Sequence, residues 1–149
     1  AQEDGFSVML PPGHEPVARE TAPMDTPLGR KTRTTHTVEA GGILFMVNCI
    51  PLPELNIMDR DERRANVKVF AGALAQNGWL VSLRPADLEA APHAWRVRYT
   101  AAMGDYTLHF EAVVLYRNAH LYQFQAAALD PLLLDTPHGA RFLTEVELF

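Results

Sequence analysis

Nucleophiles are scarce in this chain of 149 residues. Serine occurs only at Ser7 and Ser82, and neither lies in the Gly-x-Ser-x-Gly turn that lifts an activated hydroxyl into reach of a substrate. The single cysteine, Cys49, stands between Val47-Asn48 and Ile50-Pro51. A reactive thiol needs an electropositive, partly open setting, so this context predicts a buried structural one. His14-Glu15 opens like a zinc-protease helix, but Ala18 occupies the place of the second histidine and Pro16 breaks the helix that would align the pair. His109-Phe110-Glu111 has the His-x-Glu of zinc deaminases without the Pro-Cys-x-x-Cys that completes their metal shell. Gly41-Gly42 lacks the lysine of a phosphate loop. The expectation is a chain with no catalytic residue set and no cofactor, not an enzyme.

One constellation remains. Strand alternation through the last third of the chain places Arg96, Arg98, His109, Glu111, Gln123 and Gln125 on one face of three neighbouring strands, a surface able to hold an anionic ligand or a partner protein. Its plain alternative is a solvated face with cross-strand ion pairs worth a few tenths of a kcal/mol each. The six histidines are scattered. His109 and His120 could approach across a hairpin as a two-ligand metal site, which binds weakly.

The elements that must carry these residues follow from period and punctuation. Phe6 to Leu10 suits a short strand stopped by Pro11-Pro12-Gly13, with Val17 to Thr21 returning and Pro23 to Gly29 as a further loop. Arg30 to Val38 alternates like a strand wet on one face. Ile43 to Val47, apolar on both faces, suits a central strand. From Asp59 to Asn77 the period becomes helical, with Val67, Phe70, Ala71 and Leu74 on one stripe, Asp59 and Glu62 as a capping box, and Gly78 where a left-handed residue would close the helix. Trp79 to Leu83 suits a strand, and Pro85 to Pro92 a loop carrying Asp87 and Glu89.

Then comes the clearest alternation. Trp95, Val97, Tyr99, Ala101 and Met103 are expected on one face, joined after the Gly104-Asp105 turn by Tyr106, Leu108, Phe110, Ala112 and Val114, and after a turn near Asn118-Ala119 by Tyr122, Phe124, Ala126 and Ala128. Thr136-Pro137 suits the start of a last helix with Phe142, Val146 and Phe149 on its stripe; a strand over Leu143 to Phe149 is the rival.

A formal net charge of -5, with no basic block, argues against nucleic acid as a partner. No apolar run approaches the roughly 18 residues of a membrane span. The opening Ala1-Gln2-Glu3 suggests a mature form cut after a small residue, hence a periplasmic or secreted protein with its signal peptide removed. The whole chain, 1–149, reads as one α+β domain, with residues 1–5 expected as a flexible lead-in.

Gly5-Phe6-Ser7-Val8 before Pro11, the apolar strand around Phe45, Leu121-Tyr122 and the closing Arg141-Phe142-Leu143 give an order of elements that resembles the PsbP-like superfamily. The resemblance covers Phe6 to about Phe149 and rests on packing residues. It implies a single-domain α/β/α sandwich with a curved antiparallel sheet and mostly non-catalytic binding roles; it carries over no catalytic residues and no metal motif. The leading expectation is a secreted or periplasmic domain that binds a protein or cell-envelope component through the uncovered sheet surface or the Pro85 to Pro92 loop. Two alternatives stand beside it. One is a small-molecule or divalent-metal site at Arg96, Arg98, His109, Glu111 and Gln123, with His120 as a second metal ligand. The other is a cytoplasmic chaperone-like adaptor for exported proteins.

Overall fold

The computed structural model of the protein describes residues 4–88 and 91–148. Its frame is an antiparallel sheet built from β2 (Ala18–Thr26), β3 (Gly29–Ala40), β4 (Ile43–Pro51), β5 (Trp79–Leu88), β6 (Ala91–Met103), β7 (Tyr106–Arg117) and β8 (His120–Ala128). The spatial order is β2-β3-β4-β8-β7-β6-β5. Two hairpin arms therefore meet at β4 and β8, which are central and largely buried. The helix α1 (Arg60–Ala73) and its flanking turns supply the connection from β4 to the far edge. A second, two-stranded ladder joins β1 (Phe6–Ser7) to β9 (Glu147–Leu148), just after α2 (Pro137–Thr144). The class is α+β and mostly antiparallel sheet.

Both faces of the sheet are interiors. Along β8, Leu121 packs with Val67 and Phe70 of α1, whereas Tyr122 and Phe124 pack with Phe45 and with Phe142 of α2. Residues one apart on a strand point to opposite sides, so α1 covers one face and α2 with the β1–β9 ladder covers the other. On the α2 side Phe45 and Phe142 rings meet at 4.8 Å, and Phe6 stands edge-on to His36, Tyr122 and Phe124. On the α1 side Trp95 lies under Arg64 and Lys68, whose cations sit 5.4 and 5.0 Å from its ring.

Helix α1 begins as its residues dictate: the Asp59 carboxylate accepts a hydrogen bond from the Glu62 amide at 2.9 Å. Its end differs from expectation. Gly78 does not take a positive φ. A Cβ there would lie 2.1 Å from the Thr100 carbonyl, so the residue is glycine because two backbones touch.

Several expected boundaries move for physical reasons. The first strand pairs with β9 and not with a returning Val17 strand, and β2 runs on through Pro23 to Thr26. The expected loop from Pro85 to Pro92 is largely strand, with Pro85 opposite Trp95. Pro23 and Pro85 lie on edge strands, where a missing N–H facing solvent costs no ladder bond, and Pro92 lies in β6 before its pairing with β7 begins at Trp95. Glu89 of that loop lies outside the described residues. At the end of the chain helix and strand both form, one after the other, and Phe149 lies outside the described residues. Thr136 is the N-cap residue of α2 and Pro137 opens the helix, as expected, but the Thr136 side chain makes no capping bond; its hydroxyl donates to the Leu133 carbonyl. Of the expected flexible lead-in, Asp4 is pinned: its carboxylate takes two hydrogen bonds from Arg19 and a third contact from His36 Nε2 at 2.7 Å.

Candidate functional site

The expected ligand surface divides between the two faces. Arg98 lies opposite Glu111, which lies opposite Ala126, so these side chains share the α2 side. Glu111 is buried and accepts from Arg96 Nε at 2.6 Å and Arg98 Nη2 at 2.8 Å, while Arg98 also reaches Asp135 at 3.3 Å. Burial alone would raise the Glu111 pKa, but the hydrogen bonds and charges of the two arginines outweigh it and hold the carboxyl below its ordinary value. Two cations and two anions cancel here. The cluster fastens the turn at Pro131–Asp135 to the sheet and has little capacity left for a ligand.

His109 lies opposite Thr100 and Ala128, one cross-strand pair beyond this cluster. His120 lies opposite Arg117, at the other end of the same hairpin. Eight residues of strand separate the two levels, roughly 27 Å at about 3.4 Å per residue, so the structure does not bring the expected metal pair together. Among the described residues no group of three His, Cys, Asp or Glu side chains is placed to hold a metal ion.

Gln123 and Gln125 point the other way. Gln123 pairs with Val114 and Asn48, and Gln125 with Ala112 and Met46, all on the α1 side. The expectation that Tyr122, Phe124, Ala126 and Ala128 share a face with Trp95 is thereby reversed: register sets Trp95 opposite Val114 and Val114 opposite Gln123.

These glutamines form the floor of a cleft of about 400 Å³. Helix α1 packs mainly over β5, β6 and β7 and reaches β4 and β8 at Ile50 and Leu121, which leaves the stretch of β4 and β8 from Asn48 and Gln123 onward beside the helix as the bottom of the cleft. One wall is the C-terminal end of α1 with its following turn, from Phe70 to Asn77; the other is the β2–β3 hairpin, with Met24, Asp25 and Arg33. Asn48 Nδ2 donates to Gln123 Oε1 at 3.1 Å, and the Thr35 hydroxyl donates to Asn48 Oδ1 at 2.8 Å. The Tyr99 hydroxyl donates to Gln125 Oε1. Burial raises the Tyr99 pKa, so the phenol stays protonated and keeps that bond.

What is left over in the cleft is a set of donors. Asn48, Gln123 and Gln125 are each no more than 5% exposed, yet the Nε2 groups of both glutamines donate to no residue among those described. Arg33 Nε is buried without a hydrogen-bond partner among the described residues. Buried polar groups are almost always satisfied, so Arg33 Nε, together with two glutamine amides that donate to no described residue, leaves donor capacity around one cavity that an acceptor from outside the chain can take up.

Arg33, Asn48 and Tyr99 were not legible as site residues. Asn48 carried a signal, as the one polar side chain inside the apolar run from Ile43 to Ile50. Arg33 resembled a solvated strand residue, and Tyr99 a packing residue, because pattern alone does not reveal a cleft. Cys49 is buried on the α2 side, and burial pushes its thiol up to about 12. Neither the protein-family models nor the curated proteins searched contain a match to this chain.

Proposed function

We propose that the protein is a non-catalytic binding domain, secreted or periplasmic, that receives a small molecule in the cleft between α1 and the β2–β3 hairpin. The observation that carries this reading is the pair of buried glutamine amides, Gln123 and Gln125, whose N–H groups face the cleft unused. The cleft's polar lining among the described residues is neutral amides, a phenol, a guanidinium, the Thr26 hydroxyl and the exposed Asp25, with no serine, cysteine or histidine. The PsbP-like α/β/α sandwich is part of the same proposal. It is supported by the order of elements and by a helix on each side of an antiparallel sheet.

The test is a thermal-unfolding screen of wild type and a Tyr99→Phe/Gln125→Leu variant against a panel of small polar metabolites. A ligand at 100 times its Kd stabilises the native state by about 2.7 kcal/mol, readily seen as a raised midpoint. Shifts in wild type that vanish in the variant are expected; shifts equal in both would contradict the assignment.

The second reading, a protein or cell-envelope partner, has its own support. Edge strand β5 exposes Trp79, Leu80 and Val81 by more than half, whereas the opposite edge β2 carries Arg19, Glu20, Pro23 and Asp25. Charge and proline protect an edge from strand addition, and the start of β5 has neither. The occupant is an extended segment of another protein added as a strand. A photo-crosslinker at position 80 should give one adduct that Val81→Lys abolishes. Adducts matching those from a crosslinker in β2 would remove this reading.

A further inference from the structure

We infer that the ligand of the α1 cleft is a small organic monocarboxylate with an apolar body and a second acceptor, its carboxylate on Arg33 and its carbonyl or hydroxyl oxygen on Gln123 and Gln125. This rests on the binding reading above and adds the ligand's chemistry to it.

The polarity of the unused groups decides the class. Asn48 Oδ1 and the side-chain oxygens of both glutamines already accept hydrogen bonds from Thr35, Asn48 and Tyr99. On the floor and at Arg33 the side-chain groups that donate to no described residue are Arg33 Nε and the two amide Nε2 groups, so a molecule seated there brings acceptors, while Asp25, Thr26, Gln76 and Asn77 line the rest of the cleft. Arg33 is also a cation without an ion pair among the described residues, whereas its strand neighbour Lys31 is paired with Glu54. A guanidinium offers parallel N–H groups that match a carboxylate.

Charge limits the ligand to one negative unit. The wall facing Arg33 is the C-terminal end of α1, where the helix dipole is negative, and Asp25 lies at the mouth. A dianionic phosphate would leave a buried charge uncompensated. Arg33 on β3 and Gln123 on β8 are two strands apart and two residues out of level, since Gln123 lies opposite Asn48 and Asn48 opposite Thr35, so a ligand that reaches both carries its carboxylate and its second acceptor on separate groups, as an N-acyl amino acid does. Met46, Phe70, Leu74 and Phe110 line the remainder and accept an apolar side chain.

The experiment is calorimetric titration of the full chain with N-acetylphenylalanine, its neutral primary amide, and inorganic phosphate. Wild type should bind the acid at least tenfold more tightly than the amide and show no heat with phosphate. Arg33→Gln, at a half-buried strand position and checked for an unchanged melt, should erase that preference. Gln125→Leu should weaken acid and amide alike. Equal binding of acid and amide, lost in Gln125→Leu, would overturn the carboxylate and leave the cleft standing; tighter binding of phosphate would do the same. If neither these probes nor the metabolite panel binds wild type, the binding reading itself falls, and this inference with it.

Discussion

Phe124 and Gln125 are neighbours on β8, and the difference between them is the difference between the two sides of the molecule. Phe124 enters an interior of interlocking aromatic rings, closed by α2, in which the buried carboxylate Glu111 is answered by two arginines. Gln125 enters an interior of neutral amides beside an open cleft, where donors outnumber their partners. The first side spends its polar groups on holding the fold. The second keeps some unspent, which costs stability and is retained where a ligand completes the set.

The sharpest way to break this contrast is to truncate on the closed side. Phe124→Ala should cost about 3–5 kcal/mol, because the cavity it leaves is sealed by Phe6, Phe45 and Phe142 and cannot collapse. Chemical denaturation measures it, and a loss below about 1 kcal/mol would mean that side is not tightly packed.

Glu111→Gln should cost less, about 2 kcal/mol, since Arg96 and Arg98 are partly exposed and can turn to water. Its pH dependence has a definite sign. Folding lowers the Glu111 pKa, so its contribution is complete above the ordinary carboxylate range and is lost as pH falls through the lower, folded value. Wild type and Glu111→Gln should therefore differ at pH 7 and converge in acid.

On the open side the corresponding change should be mild. Removing both partners of a buried hydrogen bond can be nearly neutral, so Tyr99→Phe/Gln125→Leu should stay within about 1 kcal/mol of wild type. Gln125→Leu alone, which leaves the Tyr99 hydroxyl without its acceptor, should cost more than the pair. The smallest expected effect is at Cys49. With its pKa raised to about 12 and its side chain on the closed side, it should resist alkylation at pH 8 until denaturant unfolds the chain.

Alternation revealed much of this fold and misled at one strand. Along β6 and β7, Trp95, Val97 and Tyr99 and their cross-strand partners Val114, Ala112 and Phe110 lie on one side as their spacing implies, and Asp59 marks the start of α1. On β8 the same alternation of aromatic and glutamine residues suggests one dry and one wet face, yet Tyr122, Gln123, Phe124 and Gln125 are all buried. A polar residue every second position is the mark of solvent only when nothing covers that face. Here α1 stands beside it, brought there by a crossover whose landing place no local pattern encodes. The same holds for His109 and His120: their separation follows from the Asn118-Ala119 turn and the register it sets, with positive φ at both turn residues.

The question of which side serves the ligand can be put to the side chains directly, by recording the ¹⁵N-resolved side-chain resonances of wild type as N-acetylphenylalanine is added. The account predicts that the Gln123 and Gln125 amide pairs and Arg33 Nε–H move in saturable fashion with one common Kd, while Arg96 and Arg98 Nε–H stay still. Saturable movement of Arg96 and Arg98 with the glutamines unmoved would place the ligand on the α2 side and contradict it.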